Sequence, residues 1–204
     1  MTDLFRGFHE LAAQVGHYPD PDYRHWAMYR LAPGVAWEQC PRIDWMLGMA
    51  CHVGADDIGS PCHRRASGLL HLVAHSVRDH LPHGAHEAMA ALRSWCDGAA
   101  VDLAPHHAAV VDDWEHCLWS SRMFALEAAR WALAYALNAT DPRAHDAIRA
   151  SGAVGYGAIH AEVTAAGHRA GPWLSRVADR HAALCDALRM KEPESPFLWP
   201  EVTP

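Results

Sequence analysis

The stretch PGVAWEQCPRIDWMLGMACHVG, residues 33–54, sets the architecture of this chain. Pro33-Gly34 opens a short helical turn and Cys40-Pro41 breaks it. Asp44 can cap a second helix, because a carboxylate at a helix start accepts from amides that have no partner inside the helix. Trp45, Leu47, Met49 and Val53 on that second helix are too apolar to sit in water. Two helices meeting at a tight corner are the expected result.

Working outward, Thr2-Asp3 can cap a first helix with Leu4, Phe8, Leu11 and Val15 at helical spacing, and Tyr23 to Leu31 forms another. After the corner, Ser60-Pro61 pairs a cap with proline at the first helical position and starts a segment expected to reach Leu81, where Pro82 stops it. A helix over Gly84 to Asp97 follows. The longest pattern runs from Pro105 to Asn138 and closes at Thr140-Asp141-Pro142. Before Ser120 it is amphipathic. From Met123 to Leu137, large apolar groups (Phe124, Leu126, Trp131, Leu133, Tyr135) point to nearly every side, as in a helix buried in the middle of a bundle. Helices at Arg143 to Ala150, about Val154 to Arg169 after a Ser151-Gly152 break, and Pro172 to Met190 end the series. No alternating run appears, so no sheet is expected.

The 204 residues suffice for one substantial core. The expectation is an all-α single domain over residues 1–204, a bundle of about seven to nine helices, with 192–204 as a proline-rich docking tail bearing Phe197, Leu198 and Trp199. The formal charge of −7 argues against a nucleic-acid partner, which selects for a basic face. The start Met-Thr-Asp-Leu-Phe-Arg lacks the basic-then-apolar pattern of a leader, and no run approaches the ~20 apolar residues of a membrane span. A cytoplasmic protein without membrane contact is expected. The six cysteines, Cys40, Cys51, Cys62, Cys96, Cys117 and Cys185, form no CxxC pair and read as free thiols. The oddity is seventeen histidines, which invite metal or acid–base hypotheses.

His71, His75 and Asp79 recur every fourth residue and would line one helical face, a spacing that suits a metal. That face lies opposite Leu70, Val73 and Val77, so a solvated face is the expected reading. A metal would need a ligand from another helix, such as Asp112 or His116, and no other cofactor is expected. His160 and His181 fall on or beside apolar stripes, where an imidazole must find hydrogen bonds and its pKa follows its neighbours. Glu127 and Arg130 sit one turn apart inside the most apolar helix. Burying either charge alone is costly, so they are expected to pair with each other or with adjacent helices. The other use of these groups is a ligand pocket in which Glu127, Arg130, Trp131, Tyr135, His160 and His181 hold a small molecule. No catalytic residue is assigned. Gly152, Gly155 and Gly157 lack the preceding strand that a phosphate loop needs.

Trp37, Cys40, Arg42 and Asp44-Trp45-Met46-Leu47 resemble the start of an all-helical bacterial family of immunity proteins from polymorphic toxin systems. The likeness continues through a small-residue helix ending in proline (Cys62 to Pro82), an amphipathic helix ending at Ala91–Trp95, and a long alanine-rich helix with aromatics (Ala108 to Asn138). It covers about half the chain, with Ile43 where glycine is common and with many more His and Trp residues. The resemblance implies a small cytoplasmic protein that binds and neutralises a toxin, and it brings no catalytic residues. On that reading the partner is a basic, toxin-like protein or a partner subunit. The alternative is a small-molecule enzyme of natural-product type, or an accessory subunit of one, with an aromatic pocket inside the bundle.

Overall fold

A computed structural model describes residues 33–54, 57–137, 144–166, 173–196 and 199. The expected helices at Leu4–Val15 and Tyr23–Leu31, the turn Thr140-Asp141-Pro142, and Phe197 and Leu198 lie outside the described residues. Eight α-helices and one 3-10 turn lie among them: α1 Pro33–Gln39, α2 Ile43–Gly54, α3 Pro61–His75, the 3-10 turn Arg78–His80, α4 His83–Cys96, α5 Ala104–Glu115, α6 Ser121–Leu137, α7 Ala144–Ala165 and α8 Trp173–Lys191. No strand occurs among the described residues. The protein is an all-α bundle.

The centre is α6, which packs against α3, α4, α5 and α7. Ten of its residues, from Phe124 to Ala136, are buried, and six of these are alanines. Such small side chains let several neighbours approach one helix at once. Helix α7 also lies on α2, and α8 covers α2, α3 and α7. Among the described residues no helix is long and apolar enough to cross a membrane.

The corner read from residues 33–54 is present, and the far end of the chain locks it. Trp37, 1% exposed, donates its indole N–H to the Glu192 carbonyl at 2.9 Å, and Arg189 of α8 donates to the Cys40 carbonyl. Asp44 lies one residue inside α2, with its carboxylate held by Arg42 at 3.1 and 2.8 Å and by the Tyr156 hydroxyl at 3.3 Å.

Three boundaries differ from the sequence reading. Helix α3 begins as expected, with Ser60 Oγ accepting from the His63 amide at 3.1 Å and Pro61 behind it. It ends at His75, however, not Leu81: Ser76 Oγ donates to the Val73 carbonyl at 2.6 Å, and Val77 has left the helical region. The long pattern from Pro105 is two helices, α5 and α6, linked by residues 116–120, where Cys117 N donates to the Trp114 carbonyl at 3.2 Å. Conversely, α7 runs unbroken through Ser151-Gly152. Its glycines serve close packing. A Cβ on Gly155 would lie 3.0 Å from Ile43, and one on Gly157 would lie 2.8 Å from the Phe124 carbonyl oxygen. Ser151, buried one turn before Gly155 on the same helix, donates to the Asp44 carbonyl at 3.4 Å.

Candidate functional site

A half-open cleft of about 380 Å³ lies where the N-terminal half of α3 meets the C-terminal ends of α4 and α8. Helix α3 supplies Arg64, Arg65, Gly68 and His71 from one face, α4 supplies Arg93 and Cys96 with Asp97 just beyond it, and α8 ends in Lys191 with Glu192 following. Four cations thus face two carboxylates in a chain whose overall charge is −7.

Each guanidinium is anchored. Arg64 lies 4.4 Å over the Trp95 ring and donates to the carbonyls of Gly59 and Trp95. Arg65 lies 4.5 Å over the ring of Trp199, which is 5% exposed, and pairs with Glu192. Arg93 donates to Asp97 at 2.7 Å, which holds the Asp97 carboxyl below its usual range. Burial pushes the Cys96 thiol up to about 12, so it stays protonated and adds no charge.

His71 corrects an expectation. It is 6% exposed where the sequence reading put it on a solvated face, because α4 covers that side of α3 as well: the ring donates to the Met89 carbonyl and stacks on His75 at 5.2 Å. Burial holds its pKa down at about 4, leaving it neutral. His75 is half-buried and displaced downward for the same reason. Asp79 lies beyond the end of α3 in the 3-10 turn, with a side chain 90% exposed, 3.7 Å from Arg78. Among the described residues no group of three His, Cys, Asp or Glu side chains is placed to hold a metal ion.

Of the six ligand-pocket candidates, Arg130 and Trp131 touch one another, while Tyr135, His160 and His181 contact different residues. Arg130 lies 4.1 Å over Trp114 of α5 and 4.9 Å over Trp131, while Glu127, like Trp131, is half-buried. Tyr135 faces α2 and α3, donating its hydroxyl to the Cys51 carbonyl at 3.0 Å. His160 stacks on Phe124 at 5.1 Å. His181 donates to the Pro41 carbonyl and faces Tyr156 at 6.4 Å; burial lowers its pKa, with Asp44 acting against that shift. Arg130, Trp131, Tyr135 and His160 make further contacts of their own.

The cleft escaped the sequence reading, apart from His71. One signal for it was present: Arg64, Arg65, Gly68 and His71 fall at positions i, i+1, i+4 and i+7, a polar strip with a gap in it.

A second surface feature lies on the link between α5 and α6. Leu118 and Trp119 are 86% and 78% exposed. Asp112, Asp113 and Glu115 precede them in the last turn of α5, and Arg122 follows. Comparison of the chain with family models, with curated proteins and with solved structures gives no significant match.

Proposed function

We propose that this chain is a helical binding protein of the bacterial immunity type, which holds and neutralises a basic partner protein in the cytoplasm. The observation that carries the reading is the projecting Leu118–Trp119 pair, which follows Asp112, Asp113 and Glu115 in the last turn of α5. Large apolar groups held this far into water have a use when a partner covers them. Tryptophan is also the residue type that most often dominates a protein interface. The neighbouring carboxylates and the formal charge of −7 favour a basic surface, speeding encounter and rejecting acidic competitors. The resemblance of Trp37 to Leu47 to the immunity family points the same way. Trp114, Cys51, Phe124 and Pro41, the neighbours of Arg130, Tyr135, His160 and His181 respectively, do not by themselves outline a common pocket, so the enzyme reading has less support.

The test is co-expression with the basic proteins encoded beside this chain, followed by calorimetric titration of the purified pair. Trp119→Ala and the double change Asp112→Lys with Glu115→Lys should each weaken binding about thirtyfold with unchanged circular dichroism. Binding that ignores all three changes, or no binding to any neighbour, would overturn the reading.

A further inference from the structure

We infer that the cleft between α3, α4 and α8 binds a small phosphomonoester through Arg64, Arg65, Arg93 and Lys191. This site is distinct from the Leu118–Trp119 surface and stands independently of the immunity reading.

The cleft keeps unspent donors. Arg64 commits Nε and Nη1 to carbonyls, leaving Nη2; Arg65 commits Nη2 to Glu192, leaving Nε and Nη1. Arg93 commits Nε to Asp97, leaving both terminal amino groups. The Lys191 side chain, exposed at the end of α8, lies near enough to Asp97 to help lower its pKa and forms no hydrogen bond or ion pair among the described residues. Three forked donors and a point charge thus border one opening, the combination that recognises tetrahedral phosphate oxygens.

Those donors are also positioned in advance. The Trp95 and Trp199 rings beneath Arg64 and Arg65 restrict the two guanidinium planes, so less rotamer freedom is lost when a ligand arrives. Charge narrows the ligand class. Four cations against Asp97 and Glu192 leave an excess that a phosphomonoester, carrying about −1.5 to −2 at neutral pH, neutralises. The size agrees as well. A cleft of about 380 Å³ holds a phosphate and a short organic body. At Gly68 a Cβ would meet nothing within 4 Å, so the α3 wall one turn beyond Arg64 and Arg65 is open. Any longer side chain there would project into the space the ligand needs.

The test is isothermal titration of the full chain with inorganic phosphate and with glycerol 2-phosphate, against succinate and potassium chloride at matched ionic strength. Both phosphates should bind saturably at one site. Gly68→Leu and Lys191→Glu should each weaken them at least tenfold without lowering the melting temperature. Should Gly68→Leu fail to fold, Arg93→Gln at an exposed position takes its place with the same expected loss. Succinate binding as tightly as phosphate would overturn the ligand class. Equal responses to phosphate and chloride, or full phosphate binding in the substituted proteins, would overturn the site.

Discussion

His63 and Tyr135 are joined by a hydrogen bond that fixes the tautomer of a buried imidazole. His63 Nε2 lies 3.1 Å from the Tyr135 carbonyl, and Nδ1 accepts from the Gly59 amide at 2.8 Å. Nδ1 therefore carries the lone pair and Nε2 the proton, so the ring is neutral and has no site left for a second proton. Burial lowers its pKa accordingly. The ring ties the loop before α3 to the end of α6, and it packs on Tyr135 at 4.9 Å and Trp95 at 5.5 Å. His63→Leu should keep most of the packing but strand the polar groups it served. The expected loss is about 2 kcal/mol of unfolding free energy, read from urea denaturation at pH 7.5.

His71 gives the fold a pH dependence whose sign can be worked out. Its folded pKa of about 4 lies below the ordinary 6.5, so the unfolded chain takes up the proton first as pH falls. The stability it contributes is complete above about pH 6.5 and is lost between there and about pH 4. His63, also lowered, acts in the same direction. Through His71 alone the protein should be about 2 kcal/mol less stable at pH 5 than at pH 7.5. Urea midpoints at the two pH values measure this, and His71→Leu should flatten the difference by that amount. An unchanged difference would mean that His71 is not held neutral.

Most of the fold was legible because helix signals are local. Ser60-Pro61 named the start of α3, and the all-round apolar character of Phe124 to Leu137 named the central helix. Two errors were local, the end of α3 at Ser76 and the turn at residues 116–120, and the others fell where tertiary packing overrode a local signal. Ser151-Gly152 looks like a breaker in isolation, but α7 runs through it because that side packs on α2, with Ser151 buried and donating to the Asp44 carbonyl. His71 looked solvated because a projection of α3 alone cannot know that α4 covers its second face. The cleft was the least legible feature. Its cations come from positions 64–65, 93 and 191, and an overall charge of −7 conceals a local positive excess.

Two helical glycines should respond to alanine with opposite signs. In α3, Gly68 has no atom within 4 Å of an added Cβ, so Gly68→Ala should stabilise by about 1 kcal/mol through backbone propensity. In α7, Gly157→Ala places the methyl 2.8 Å from a backbone oxygen of α6 and 3.3 Å from the Ala128 Cβ. Neither helix can rotate that contact away as a flexible side chain would. The overlap should outweigh the propensity gain and destabilise by about 2 kcal/mol. Thermal melts of the two variants, recorded side by side, decide the matter.

The last expectation concerns the corner itself, where Asp44 is 2% exposed and accepts from Arg42 and Tyr156. Arg42 also reaches the Tyr156 hydroxyl and lies 4.7 Å over the Trp45 ring, so the three polar groups join the start of α2 to α7. Removing one member of a buried ion pair strands the other. Arg42 keeps a side chain 27% exposed, though, and water can recover part of that loss. Asp44→Ala should therefore cost about 2–3 kcal/mol, toward the lower end for buried pairs. A second readout separates this network from simple packing. Burial holds the Tyr156 phenol above its ordinary pKa, and the Asp44 charge adds to the shift. Asp44→Asn keeps the shape and removes the charge, so the Tyr156 titration, followed by tyrosinate absorbance against a Tyr156→Phe reference, should move down toward the ordinary value. A phenol that titrates unchanged in Asp44→Asn would show that the carboxylate does not act on it, and the corner would then owe its rigidity to its other ties, the Trp37–Glu192 and Arg189–Cys40 hydrogen bonds among them.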